Sequence, residues 1–215
     1  VNDSCVLNKE VMDKLRDLNQ LENITFKYSD YLFGSRLNST MFANMTHLRS
    51  LDIGFCKLIR VEKGALNNLS SLEVLASNGN PLGPREFQFF GEGEESSLTS
   101  LYVRDAGLWS DRTQMYDMTR FLESMPQIKT LDISNSYLVK MLVFGTRTNG
   151  TQAVRVYHKT LKVFIADDNE LATVFRSRDR DGNVKGSEEG CGEGLNPCPM
   201  FPAISEISLA RNRIK

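Results

Sequence analysis

The stretch Leu48 to Leu58, LRSLDIGFCKL, has apolar residues at its first, fourth, sixth and eleventh positions: Leu48, Leu51, Ile53 and Leu58. A small sulfur residue, Cys56, stands at its ninth. Twenty-four residues later the register returns as Leu72, Leu75, Ser77, Asn80 and Leu82. Apolar residues two apart put the middle of the unit in a strand, with one edge buried and the alternate positions facing out. A unit this short cannot bury its own apolar edge, so units of this kind must stack on one another to make a core.

The spacing is that of the leucine-rich repeat, L-x-x-L-x-L-x-x-N/C-x-L. It begins again at Leu21, Leu98, Ile128, Leu161 and Ile204, giving seven starts at 21, 48, 72, 98, 128, 161 and 204. A leading fragment, 1–20, supplies Val1, Ser4 and Val6 at positions six, nine and eleven, with Leu15 and Leu18 as its expected convex-side spine. The residues at position nine are Ser4, Ser29, Cys56, Asn80, Ala106, Ser136, Asn169 and Asn212. All are small or carry an amide, as a buried turn needs if its backbone groups are to be paired or given room. The expected fold is therefore an α/β leucine-rich-repeat solenoid, a horseshoe arc with a parallel concave sheet and an irregular convex side. One repeat array spans 1–215. The sequence enters and leaves within a repeat and shows no capping module, so it reads as an internal segment of a longer array.

Repeat length is uneven, with successive starts 27, 24, 26, 30, 33 and 43 residues apart. Extra residues map outside the strand ladder, where binding roles often lie. The 30-residue repeat fits a convex helix capped by Ser110 or Asp111, with Met115, Met118, Phe121 and Leu122 on one face. The insertion at about 139–160 suggests a hairpin turning at Asn149-Gly150. That at about 174–203 holds few apolar residues and reads as a mobile excursion, with Cys191 and Cys198 close enough in sequence to pin its returning end by a disulfide.

Formal net charge is −1, so no bulk field recruits nucleic acid or an anionic membrane. No run approaches the ~18 apolar residues of a membrane span, and VNDSC does not open like a signal peptide. Six N-x-S/T sequons begin at Asn2, Asn23, Asn38, Asn44, Asn68 and Asn149, and with the cysteine pair they favour an extracellular or lumenal glycoprotein carrying N-linked glycans.

Catalysis finds little support. His47 and His158 have no nucleophile in a recognisable elbow and no zinc-type spacing. The segment Asp179 to Asn183, DRDGN, matches the start of a calcium loop, but Val184 and Gly190 stand where its Gly and bidentate Glu belong. No cofactor and no metal are expected, and the chain does not read as an enzyme. Binding is what a rigid repeat surface offers. Positions five, seven and eight project from the concave sheet and carry Tyr28, Asp52, Phe55, Tyr102, Arg104, Asp105, Asp132, Asp167, Asp168 and Arg211. Asp52 and Asp132 read as solubilising residues. The ligand-binding candidates are Phe55, Tyr102, Arg104, Asp105, Asp167, Asp168 and Arg211, since exposed aromatic and Arg side chains make interface anchors. A basic group of Arg147, Arg155, His158 and Lys159 reads as a solvated loop.

The segments MFANMTHLRSLDIGFCKL, ALNNLSSLEVLASNGNPL and FLESMPQIKTLDISNSYL resemble the ectodomain of a Toll-like receptor, and the resemblance extends over essentially the whole chain. It implies the extracellular or endosomal part of a single-pass membrane receptor in innate immunity and signal transduction. Such a receptor recognises a microbial ligand or a protein ligand and works as a homo- or hetero-dimer, with no membrane contact by this segment. No ligand-binding position is motif-defined across that family, so none transfers. A leucine-rich-repeat adhesion, matrix or hormone-type receptor with a protein partner on the concave face is the other class the pattern allows.

Overall fold

The computed structural model describes residues 13–15, 17–29, 35–82, 89–90, 96–107, 116–117, 122, 125–138, 140–144, 146–149, 152–155, 158–171, 173–178, 184–185 and 201–214. Each of the seven starts is followed, two residues on, by a three-residue strand. These are β1 (Asn23–Thr25), β3 (Ser50–Asp52), β5 (Val74–Ala76), β6 (Ser100–Tyr102), β8 (Thr130–Asp132), β12 (Val163–Ile165) and β15 (Glu206–Ser208). They form one parallel sheet in that order, and every neighbouring pair is in register at positions three, four and five. The fold is a leucine-rich-repeat solenoid.

Register explains the core. Position four stacks Leu51, Leu75, Leu101, Leu131 and Phe164 along the ladder, all buried, while position one adds Leu48, Leu72, Leu98, Ile128 and Leu161 behind them. Each such side chain contributes about 1.5–3 kcal/mol by leaving water. Behind the ladder Phe42, Met45, Leu66, Leu69, Leu122 and Met125 close the core of their repeats. In the leading fragment Leu15 packs against the core, but Leu18 is exposed and forms no part of a spine.

Position nine works as the pattern requires. The Asn80 amide oxygen accepts the buried N–H groups of Cys56 and Leu58 in the preceding repeat, each at 3.0 Å, and its nitrogen donates to the Ile53 carbonyl at 2.8 Å. Asn169 repeats this with Ser136, Leu138 and Ile133. Asn212 accepts from Leu171 and donates to Ala166. Cys56 and Ser136 do half the work. The buried Cys56 thiol donates to the Phe26 carbonyl at 3.1 Å. The Ser136 hydroxyl donates to Val103 and accepts from the Ala106 N–H.

The longer repeats differ from expectation. Within the expected convex helix, Tyr116–Asp117 is a strand (β7) paired parallel with Met141–Leu142, while Leu122 is helical and Ser110, Asp111, Met115, Met118 and Phe121 lie outside the described residues. Pairing to a neighbouring insertion supplies backbone bonds that a lone convex helix would have to find within itself. The partner is β9 (Lys140–Phe144), which also pairs parallel with β13 (Thr173–Arg178). Beside β13 lies β14 (Val184–Lys185), antiparallel, so four strands in the order β14-β13-β9-β7 make a second sheet. The first residues of the 174–203 insertion are thus an ordered strand rather than a mobile excursion. Its later part, including Cys191 and Cys198, lies outside the described residues. The chain continues from β9 into the antiparallel hairpin of β10 (Thr146–Asn149) and β11 (Gln152–Arg155), which turns after Asn149 as the sequence indicates. In the earlier repeats β2 (Arg36–Leu37) and β4 (Arg60–Val61) form a short parallel pair. No helix among the described residues is long and apolar enough to cross a membrane.

Candidate recognition face

Position eight is where the ladder turns, and every residue there has a left-handed backbone. The φ values are 65° at Tyr28, 56° at Phe55, 65° at Gly79, 55° at Asp105, 49° at Asn135, 54° at Asp168 and 55° at Arg211. Gly, Asn and Asp tolerate this region, whereas a bulky side chain there is strained by roughly 1–2 kcal/mol. Four of the sequence-derived candidates, Phe55, Asp105, Asp168 and Arg211, therefore share one row with Tyr28.

Along that row the side chains take one another as partners. Tyr28 stacks on Phe55 with ring centroids 4.9 Å apart and an interplanar angle of 24°. The Phe55 ring also lies against Gly79, where a Cβ would run into it. Asn135 donates to the Asp105 carboxylate, and Arg211 forms a two-point ion pair with Asp168. The hydrogen bond from Arg211 holds the Asp168 carboxyl below its ordinary range, and the pair raises Arg211 in turn. Both residues are exposed, so the pair is weak as a stabilising element.

Position seven forms a second polar row that periodicity alone does not reveal. The Asn78 amide oxygen accepts the Arg104 N–H at 2.9 Å, and the Ser134 hydroxyl accepts the Asp167 N–H at 3.2 Å. The Asp167 carboxylate accepts from the Ala210 N–H at 2.8 Å and the Ser208 hydroxyl at 2.6 Å. Asp167 is thus engaged in holding β12 to β15. Asp132 is not merely a solubilising residue: it is buried, accepts the Ser134 N–H and hydroxyl, and pairs with Arg104 at 3.5 Å. Asp52 likewise accepts the Gly54 N–H at 2.8 Å, folding its own turn. A carboxylate at position five can take the N–H two residues on, a local bond that Asp readily makes.

The most open aromatic on this face is Tyr28, 67% exposed, while Phe55 and Tyr102 are half-buried. Lys27, absent from the sequence-derived candidates, places its Nζ 5.3 Å from the Tyr28 ring centroid and 5.6 Å from that of Phe55. Gly79 is the other residue that pattern reading passed over. The signal for both lies in reading positions seven and eight as continuous rows across repeats.

Of the sequons, Asn23 is exposed on β1, and Asn44 and Asn68 are exposed behind the ladder. Asn38 is half-buried, and its amide oxygen accepts from the Thr40 N–H and hydroxyl. Asn68 donates to the Ser39 carbonyl, so the turns bearing Asn38 and Asn68 are neighbours. Asn149 ends β10, and Asn2 lies outside the described residues. His158 is not part of an exposed basic group. It is buried, its Nε2–H donates to the Met125 carbonyl at 3.0 Å, and burial lowers its pKa against the opposing effect of the Met125 and Leu122 carbonyls. Among the described residues no three His, Cys, Asp or Glu side chains are grouped as a metal site. The segment Asp179 to Asn183 lies outside them, flanked by the antiparallel partners Arg178 and Val184 rather than by helices.

No family model matches the sequence, and no curated protein does. Among solved structures the chain is similar to human 5T4 (Wnt-activated inhibitory factor 1, trophoblast glycoprotein), with 20% identity and a TM-score of 0.44. The match covers 70% of this chain and 62% of that one, so the chain spans less than two thirds of its length.

Proposed function

We propose that this chain is a ligand-recognition segment of an extracellular innate-immune receptor of the Toll-like kind, binding a microbial molecule and supporting receptor dimerisation. The observation that carries the reading is the face of the seven-stranded ladder. Its backbone is rigidly bonded from repeat to repeat, yet it holds a strained aromatic pair, exposed Tyr28 and half-buried Phe55, where polar, αL-tolerant residues would be the stable choice, with exposed Arg104 on the neighbouring row. Strain kept on a surface that packing does not require is what a binding role explains. The six sequons support an extracellular or lumenal setting.

The test is capture of the glycosylated ectodomain on immobilised bacterial lipopeptide, flagellin and microbial double-stranded RNA, with host collagen and laminin alongside. Binding to one microbial class, weakened by Phe55→Ala or Tyr102→Ala, is expected. Binding to host matrix protein alone would overturn it in favour of an adhesion receptor.

A further inference from the structure

Position two, the residue just before each ladder strand, forms a row along the entry edge of the sheet. At the start of the row Glu22, Arg49 and Glu73 alternate in sign and pair, Arg49 lying 2.5 Å from Glu73 and 4.0 Å from Glu22. The row continues as Thr99, Lys129, Lys162 and Ser205, and here two like charges are neighbours. The Lys129 carbonyl accepts the N–H groups of Lys162 and Val163 at 2.8 and 2.9 Å, which sets the two lysines level on strands about 4.8 Å apart. Both are exposed, as is Lys159 in the turn that leads into β12. None of the three has an ion-pair partner among the described residues. β8 and β12 lie inside the ladder, between β6 and β15, and positions two and three of those four repeats include one carboxylate, Glu206. Like charges side by side cost stability, and the first members of the row show that it can be paired.

Hydroxyl groups frame the lysines, and their protons are already committed. Thr99 donates to the Glu73 carbonyl at 3.1 Å, Ser205 to that of Lys162 at 3.1 Å, and Thr160 to that of Ile128 at 2.8 Å. Each keeps a lone pair, which suits a ligand that brings O–H donors together with its negative charge. A nucleic-acid backbone offers mainly acceptors, and the row holds no aromatic ring on which a base could stack. Sequons mark the other half of this edge. Asn23 is on β1, and Asn44 and Asn68 stand four residues before Leu48 and Leu72, in the turns that lead into β3 and β5. The later repeats have Glu94, Ser124, Tyr157 and Met200 at that place in the sequence. The entry edge thus carries sequons over its first three strands and unpaired cations over β8 and β12.

We propose that Lys129, Lys162 and Lys159 form a binding site for a sulfated polysaccharide whose chain crosses β8 and β12 at their entry edge. Three cations within one turn and two strands call for closely spaced negative charges, which sulfation supplies. Sulfates meet the ammonium groups, and ring hydroxyls donate to Thr99, Thr160 and Ser205. The site lies off the Tyr28–Phe55 row, so it stands whether or not that row takes a microbial ligand.

The experiment is calorimetric titration of the whole chain, its N-glycans intact, with a heparin hexasaccharide at about 0.15 M salt. Dextran, a single-stranded DNA of similar charge and a short double-stranded RNA serve as comparison ligands. The sulfated sugar is expected to bind and dextran is not. The double variant Lys129→Gln/Lys162→Gln is expected to lose affinity roughly tenfold. It should melt no lower than the parent, because it removes a like-charge contact. Arg36→Gln/Arg60→Gln takes the same charge from the β2–β4 pair, where the two arginines are register partners beside the Asn38 sequon, and is expected to bind as the parent does. No binding of the hexasaccharide, equal binding of dextran, or equal or tighter binding of either nucleic acid would overturn the site. So would parental affinity in the lysine variant, or an equal loss in the arginine variant.

Discussion

At the scale of single residues, two positions decide how the ladder is held. Asn80 saturates two buried N–H groups at once, so Asn80→Ala leaves Cys56 and Leu58 without their partner. Unpaired buried donors cost about 1–3 kcal/mol each, and a loss of roughly 2–4 kcal/mol in denaturant unfolding is expected. Asn80→Asp restores the acceptor and loses the donor, so a smaller loss should separate the two roles. Cys56→Ser keeps a donor aimed at the Phe26 carbonyl and should shift stability by less than about 1.5 kcal/mol. Gly79 answers to a different constraint, since it combines φ 65° with direct contact against the Phe55 ring. Gly79→Ala is expected to destabilise by at least about 1 kcal/mol from backbone strain alone. In a Phe55→Ala background the same substitution should cost less, because only the backbone part remains. Equal losses in both backgrounds would show that the ring does not press on Gly79.

At the scale of elements, His158 fastens the return of the hairpin insertion to the repeat before it. Its imidazole bonds the Met125 carbonyl, and two residues on Thr160 donates to the carbonyls of Pro126 and Ile128. Burial depresses the His158 pKa in the folded state. Above the unfolded value of about 6.5 the group is neutral in both states and exacts no penalty. As pH falls below that value the unfolded chain takes up a proton that the folded chain resists, so stability declines toward the depressed folded pKa. The melting temperature should therefore drop between pH 7.5 and 5.5, and His158→Gln should flatten that slope. An unchanged slope would place the acid sensitivity elsewhere. Among the described residues the β10–β11 hairpin pairs with itself and joins no other sheet, so replacing 146–155 with a short Gly-Ser turn should leave the ladder folded. The far-ultraviolet spectrum and a cooperative melt would check this; loss of cooperative unfolding would show that the hairpin supports the repeats.

At the scale of the whole molecule, the ladder and the second sheet follow different rules. The ladder repeats one bonding scheme across its six strand pairs, so its stability is close to a sum of like interfaces between neighbours. Leu101→Ala in the central strand removes a side chain packed from both sides and should cost about 2–5 kcal/mol. Ile207→Ala on the outer strand β15, where the side chain is only partly buried, should cost less. The second sheet arises only in the three repeats with the longest spacings, where β7, β9 and β13 stand side by side and turn length beyond the basic period into a further layer.

The seven strand positions, the buried leucines and the amide row were legible in the sequence because each depends on a short-range period. A side chain at position four is buried by the same neighbour positions in every repeat, so the pattern carries the fold. The turn at Asn149 was legible for a similarly local reason. What only the tertiary structure decided lies between repeats. Whether Tyr116 stands in a helix or a strand depends on Met141 arriving beside it, 25 residues later. Likewise, Asp167 binds the backbone of Ala210 rather than facing solvent as a free anchor, which depends on the registration of β12 with β15. The position-eight row has the same origin. Phe55 could be singled out as an exposed aromatic, but its stacking on Tyr28, its rest on Gly79 and the cation beside it come from strands 24 to 27 residues apart being set next to one another by the ladder. Local periodicity fixes which residues face inward; contact between distant repeats fixes what the outward ones can do.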